Sequence, residues 1–160
     1  MKNHFTVRPV SIEQAPELTS LLRSQSPAYV RFFSPFNFDH ATISGILANL
    51  KKDVLSGIYA RDRMIGFFML RGWDEGYEVP TYGVLIDERY SGYGLGRMTL
   101  KMAKSICLLR RSPRIMLKVH PEHHPAKALY EEAKFIQTGI DAKSGNLIYH
   151  LNLHGRATTS

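Results

Sequence analysis

"IDERYSGYGLGRMTLKMAKSICLL", running from Ile86 to Leu109, sets Gly92, Gly94 and Gly96 at alternate positions just before a long stretch without Gly or Pro. Glycine so concentrated costs conformational entropy, and a plain turn needs less of it. Upstream, "YEVPTYGVLI" (77–86) has the pattern of a strand. Downstream, Leu95, Met98, Met102, Ile106 and Leu109 recur every three or four residues, as on one face of a helix. The order is strand, glycine-rich turn, helix. The first amides of a helix have no intrahelical acceptor, and the helix dipole adds about half a positive charge there. With no Cβ in the way, a phosphate can rest on those donors. A merely tight turn is the competing reading at this point.

Two familiar phosphate loops do not fit. A Walker loop closes on Gly-Lys-Ser/Thr, whereas Gly96 is followed by Arg97 and Met98. A dinucleotide G-x-G-x-x-G follows the first strand of its unit, whereas these glycines follow the fourth strand and the third comes too soon.

Outward from this centre, "HFTVRPV" (4–10) reads as a first strand, and "SIEQAPELTSLLRSQ" (11–25) as a helix with Ser11 at its N-cap. "SPAYVRFFSPFNF" (26–38) is an aromatic connection, and "DHATISGILANLKK" (39–52) a second helix. "VLSGIYA" (54–60) and "RMIGFFMLRG" (63–72) form a hairpin around a short polar turn. Within 77–86, Pro80 cannot donate to a ladder and Gly83 follows closely, which marks a bulge or a departure from the neighbouring strand. "RIMLKVH" (114–120) is a strand, "PAKALYEEA" (125–133) a helix, and "FIQTGI" (135–140) and "LIYHLNL" (147–153) are closing strands. The order β-α-α-β-β-β-α-β-α-β-β is that of an α/β protein, a mixed sheet with helices on its faces.

The chain has 160 residues, 44% hydrophobic and 22% charged, which suits one soluble domain over 1–153 with a polar tail at 154–160. No run spans a bilayer and "MKNHFTVRPV" has no signal-peptide centre, so a cytoplasmic location is expected. The single cysteine, Cys107, excludes an internal disulfide and reads as a small core residue. The net charge of +7 suits an anionic partner, but the cations are scattered and no stripe or tail selects nucleic acid. The histidines around 120–124 have no spacing that compels a metal.

"VLIDERYSGYGLGRMTL" (84–100) resembles the signature of the GNAT superfamily of acyl-CoA-dependent N-acetyltransferases, roughly Arg/Gln-x-x-Gly-x-Gly/Ala between a strand and a helix. Gly94 and Gly96 fall on the signature glycines and Ser91 on the Arg/Gln place, where it offers a hydroxyl but no charge. A second stretch, "VHPEHHPAKALYEEAKF" (119–135), resembles the family's V-x-x-x-N-x-x-A-x-x-L-Y-x-x-x-G-F through Val119, Ala126, Leu129, Tyr130 and Phe135. His123 stands at the usual Asn and Lys134 at the usual Gly.

The resemblance implies a central, mostly antiparallel mixed sheet and acetyl-CoA as co-substrate. The pantetheine arm would thread between the fourth and fifth strands and pair with the backbone of Val84, Leu85 and Ile86. The diphosphate would rest on the turn Ser91, Gly92, Tyr93, Gly94, Leu95, Gly96 and Arg97, with His123 and Tyr130 as further coenzyme contacts. Direct transfer to an amine needs a base, an oxyanion donor and an acid for the departing thiolate. Tyr130 matches the family's tyrosine acid, and Glu78, near the start of the fourth strand, is the candidate base.

For the acceptor wall, Phe32, Phe33 and Trp73 could stack on a sugar, and Glu75 could attract a cation. The expected partner is a small-molecule amine such as an amino sugar, with a peptide or protein amine as alternative and homodimerisation open. Neither nucleic acid nor membrane is expected. A CoA-binding module without catalysis is the non-enzymatic alternative.

Overall fold

The computed structural model describes residues 4–33 and 35–153, so the expected tail at 154–160 lies outside the described residues. Its elements in chain order are β1 (Phe5–Pro9), α1 (Ala15–Arg23), α2 (Pro27–Val30), α3 (His40–Ala48), β2 (Val54–Ala60) and β3 (Arg63–Arg71). Then come β4 (Thr81–Ile86), α4 (Leu95–Leu109), β5 (Arg114–Val119), α5 (His124–Glu132), β6 (Ile136–Ile140) and β7 (Leu147–Asn152). The strands form one sheet in the order β1-β2-β3-β4-β5-β7-β6, antiparallel throughout except where β4 meets β5.

Local chemistry accounts for the ends. Ser11 caps a 3-10 turn, Ile12–Gln14, that leads into α1, and its amide donates to Gln14 Oε1 at 3.0 Å. Asp39 caps α3 by accepting from the Thr42 amide at 2.8 Å, and that bond holds its carboxyl below the usual range. α3 stops at Ala48, short of the expected 52, because the amides of Lys51, Lys52 and Asp53 turn to the Asp74 carboxylate. A short helix, α2, forms in the expected connection, with Pro27 at its first position and Ser26 as its cap.

The sheet separates two cores. On one face α1 and α3 cover β2, β3 and β4 through Leu18, Leu22, Ile43, Leu47, Tyr59, Phe67, Met69 and Leu85. On the other, α4 and α5 cover Phe68, Leu70, Tyr82, Ile115, Leu117, Tyr149 and Leu151. Each buried Leu or Phe contributes about 1.5–3 kcal/mol. The buried stripe of α4 is Leu95, Thr99, Leu100, Ala103 and Cys107, while Leu109 is 84% exposed. The stripe thus runs one position away from the expected one, and Cys107 is the core residue it was read as. Among the described residues no helix is long and apolar enough to cross a membrane.

Candidate active site

β4 and β5 are paired only at Thr81 and Met116, with the Met116 amide donating to the Pro80 carbonyl at 3.0 Å. Beyond that point the two parallel strands separate. Backbone groups alternate sides along a strand, so the Pro80 carbonyl places those of Tyr82, Val84 and Ile86 on the edge that faces the gap. Leu85 is opposite Phe67 in β3, and its side chain lies in the α1–α3 core. Leu85 therefore offers the gap neither backbone nor side chain, while Val84 and Ile86 do. The register between β3 and β4 is unbroken, so there is a departure without a bulge. Pro80 precedes the strand and sits where the strands join, so the separation starts after it.

The glycine turn follows β4. Gly92 and Gly94 have φ of +86° and +79°, in the left-handed region that L side chains rarely adopt. The Tyr90 and Ser91 amides donate to Asp87 and Glu88 carbonyls, and the helix ladder starts with Met98 bonding Gly94. Between them, the amides from Gly92 to Arg97 have no acceptor among the described residues. This run of free donors at the start of a 15-residue helix has the chemistry to cradle an anion. Tyr93 turns its ring away, edge-on to Phe5 at 5.9 Å between centroids, and anchors the turn to β1. The Arg97 guanidinium is engaged elsewhere, on Glu132 of α5 at 2.8 Å, so Arg97 offers the turn its amide rather than its charge.

Tyr130 is 7% exposed on α5, and burial pushes its phenol up to about 12. Its backbone is fixed by the end of the helix. Phe135 donates to the Tyr130 carbonyl and Lys134 to that of Glu131, each at 3.0 Å, with Lys134 left-handed at φ +76°. This is a Schellman ending, and the Phe135 ring completes it by packing 5.9 Å from Tyr130. The family's usual glycine at 134 thus answers to backbone geometry, which lysine here meets under strain. The Tyr130 hydroxyl has no protein partner among the described residues. Tyr82 stands beside it and hydrogen-bonds Thr99 Oγ1 at 2.9 Å, and Thr99 donates on to the Gly96 carbonyl at 3.0 Å.

The connection before α3 bridges the gap. Ser26 donates to the Glu88 carboxylate through its amide at 2.7 Å, and Gln25 accepts from the Glu88 amide at 2.8 Å. The Tyr29 hydroxyl donates to the Ile86 carbonyl on the gap edge, and burial raises its phenol. On the far side Phe32 lies 4.8 Å from both the His120 and His123 rings, just beyond β5. Burial, then His120 and His124, lower the His123 imidazole. Residues 25–32 thus span the mouth between β4 and β5. Tyr82 and Glu88 were not singled out by sequence for these roles, because nothing short of the folded gap reveals their partners.

The aromatic wall expected for the acceptor is not assembled. Phe33 packs into the α1–α3 core, 5.7 Å from Phe67. Trp73 lies under the Arg110 guanidinium at 4.4 Å, at the far end of α4, about 22 Å of helix from the glycine turn. Glu75 and Glu78 are exposed in the loop that precedes Thr81, at the joined end of β4. Of the four acceptor candidates, Phe32 alone reaches the mouth of the gap.

Solved structures share this architecture. PaiA N-acetyltransferase from Thermoplasma acidophilum, in complex with coenzyme A, matches with a TM-score of 0.77 and 16% identity, over 93% of this chain and 99% of that one. A ribosomal-protein alanine acetyltransferase from Vibrio fischeri matches with a TM-score of 0.78 and 13% identity, over 97% of this chain and 96% of that one. A domain from Methanocaldococcus jannaschii matches with a TM-score of 0.79 and 16% identity, over 95% of this chain and 100% of that one. Comparison with curated proteins gives no match. At such identities the structures speak for the fold. The family model described as "Acetyltransferase (GNAT) family" matches residues 17–135, through both the glycine turn and Tyr130. The chain belongs to the GNAT family of acetyltransferases, enzymes that take their acetyl group from acetyl-CoA.

Proposed function

We propose that one domain, through residue 153, transfers acetyl from acetyl-CoA directly to a primary amine with both substrates bound. The observation that carries this reading is the run of free amides from Gly92 to Arg97 at the open end of the gap between β4 and β5. Bound there, acetyl-CoA supplies a thioester carbonyl open to attack. The diphosphate rests on the amides of Gly92 to Arg97, and Ser91 adds its hydroxyl. The pantetheine arm pairs with Val84. His123 and Phe32 close the mouth.

Tyr130 then has one task. With its phenol near 12 it stays protonated through the neutral range, and its hydroxyl has no competing protein partner. An ordinary thiol titrates near 8.5, so a phenol this weak stabilises the departing sulfur by donating a hydrogen bond to it more than by surrendering its proton. The amine needs a base before it can attack, and Glu78 serves as base through water at the joined end of β4. An amino sugar loses its support, since Phe32 and Trp73 do not share a wall.

Thiol release from acetyl-CoA over a panel of small-molecule and peptide amines tests the reading. Amine-dependent release is expected. Tight coenzyme binding without release on any amine would instead make the chain a binding module.

A further inference from the structure

The face of the sheet beyond the gap is bare. On β5, Ile115, Leu117 and Val119 point into the core under α4 and α5. Alternation therefore sets Arg114, Met116 and Lys118 on the opposite face. In β7, Tyr149 and Leu151 join the same core, which leaves Ile148, His150 and Asn152 beside those three residues, in the registers Lys118↔Ile148, Met116↔His150 and Arg114↔Asn152. The core that α1 and α3 build on that face contains residues of β2, β3 and β4 and none of β5, β6 or β7. Among the described residues no helix covers this half of the sheet.

This open face is bounded by the connection that bridges the gap. Phe32 stands at its upper end against His120, and Phe36 at its lower end with the Arg71 guanidinium 5.6 Å from the ring centroid. Arg71 is opposite Thr81, where the gap begins. An acceptor amine that reaches the gap from this side crosses a floor of Met116, Lys118 and His150.

Around that floor cations outnumber carboxylates. Arg114 and Lys118 are exposed, burial and then the nearby Arg114 charge lower the His150 imidazole, and Arg31 and Arg71 stand on the wall. Two carboxylates face them. Asp141 is paired with Lys118 and Glu122 with Arg31, each at 3.6 Å. Glu75 and Glu78 lie in the loop ahead of Thr81. After these pairings Arg71 and Arg114 are left without a carboxylate in an ion pair among the described residues.

We infer that the acceptor is a peptide or protein amine followed by acidic residues, whose carboxylates lie on the open face of β5 and β7 against Arg114 and Lys118. The inference rests on the acetyltransferase reading and deepens it. An open face beside the site suits an extended chain, and its charge disfavours the polycations and amino sugars that acidic pockets attract. Lys118 would exchange its surface pair with Asp141 for the acceptor's carboxylate, a small cost because exposed pairs contribute little.

Three matched peptides with the same free N-terminus, one acidic, one amide-substituted and one basic over the next three residues, test this with acetyl-CoA. The acidic peptide should show kcat/KM about tenfold above the other two, as two charge contacts of moderate strength provide. Arg114→Glu with Lys118→Glu should reverse the order while coenzyme affinity stays unchanged. In parallel, fluorescence anisotropy with labelled peptides on the CoA complex reads the preference without turnover. Acidic-peptide binding that weakens with salt supports the inference. Equal or stronger binding or turnover of the basic peptide would overturn it and leave the acetyltransferase reading intact. Absence of coenzyme binding would instead overturn the acetyltransferase reading, and this inference with it.

Discussion

The Tyr130 ring meets Tyr82 edge-on, with centroids 6.5 Å apart and planes at 87°. One phenol comes from α5 and the other from β4, so the contact ties the proposed donor for the departing sulfur to the strand that borders the gap. Tyr82 is in turn tied to the first turn of α4 through Thr99 and the Gly96 carbonyl. The glycine turn and the Tyr130 phenol are thus held by one packed unit.

Tyr130→Phe keeps that packing and removes the donor. Turnover should fall about a hundredfold while coenzyme affinity holds, the pattern of a contact made in the transition state. The same phenol also sets an alkaline limit. Its pKa is raised from 10 to about 12 on folding, so the folded state holds the proton more tightly. That stabilisation, roughly 3 kcal/mol, is present in full below about pH 10 and lost as pH climbs toward 12. Denaturation series across pH 9 to 12 should show a shallower decline in the Phe variant; an identical decline would contradict the burial argument.

Glu78→Gln tests the proposed base. A base is needed only while the amine carries its extra proton, so turnover should drop about tenfold at neutral pH and approach wild type as the amine's own pKa is reached. A pH–rate profile parallel to that of wild type would remove Glu78 from the mechanism.

Gly94 has φ +79° and open space where a Cβ would stand, the space the diphosphate would fill. Gly94→Val should abolish coenzyme binding and cost about 1–2 kcal/mol in stability from the left-handed backbone alone. Gly96 is the control. It is helical, and an added Cβ would meet Leu129 Cδ2 at an ordinary 3.6 Å. Gly96→Ala should therefore fold at least as stably as wild type, with up to about 1 kcal/mol gained from the helix preference of alanine, as thermal melts would show.

Lys134 occupies the left-handed place that ends α5. Lys134→Gly should stabilise the protein by about 1 kcal/mol, less the entropy glycine adds to the unfolded chain. A lower melting temperature would mean that the lysine side chain contributes more than its backbone strain costs.

The fold was legible where local chemistry decides it. The glycines at 92 and 94 mark the turn, which the structure closes with left-handed backbone, and the stretch around Tyr130 marks α5, because both are backbone or near-neighbour matters. What could not be read were the destinations of side chains that depend on distant elements. Arg97 looks like a phosphate ligand until α5 brings Glu132 beside it, and Phe33 looks like a wall until Phe67 takes it into the core. Trp73 and Phe32 share an aromatic character in the sequence, yet Trp73 packs under Arg110 at the end of α4 while Phe32 lies against His120 and His123 beyond β5. The bare face of β5 and β7 follows from strand order and helix placement, which no single stretch displays.

The central claim is that the amides from Gly92 to Arg97 hold the diphosphate of the coenzyme. Calorimetric titration with acetyl-CoA and with S-acetylpantetheine, which lacks the diphosphate, tests it most directly. Acetyl-CoA should bind with at least about a hundredfold advantage, as charge-assisted bonds to a helix start supply. Equal affinity for the two compounds, or heat from neither, would contradict it.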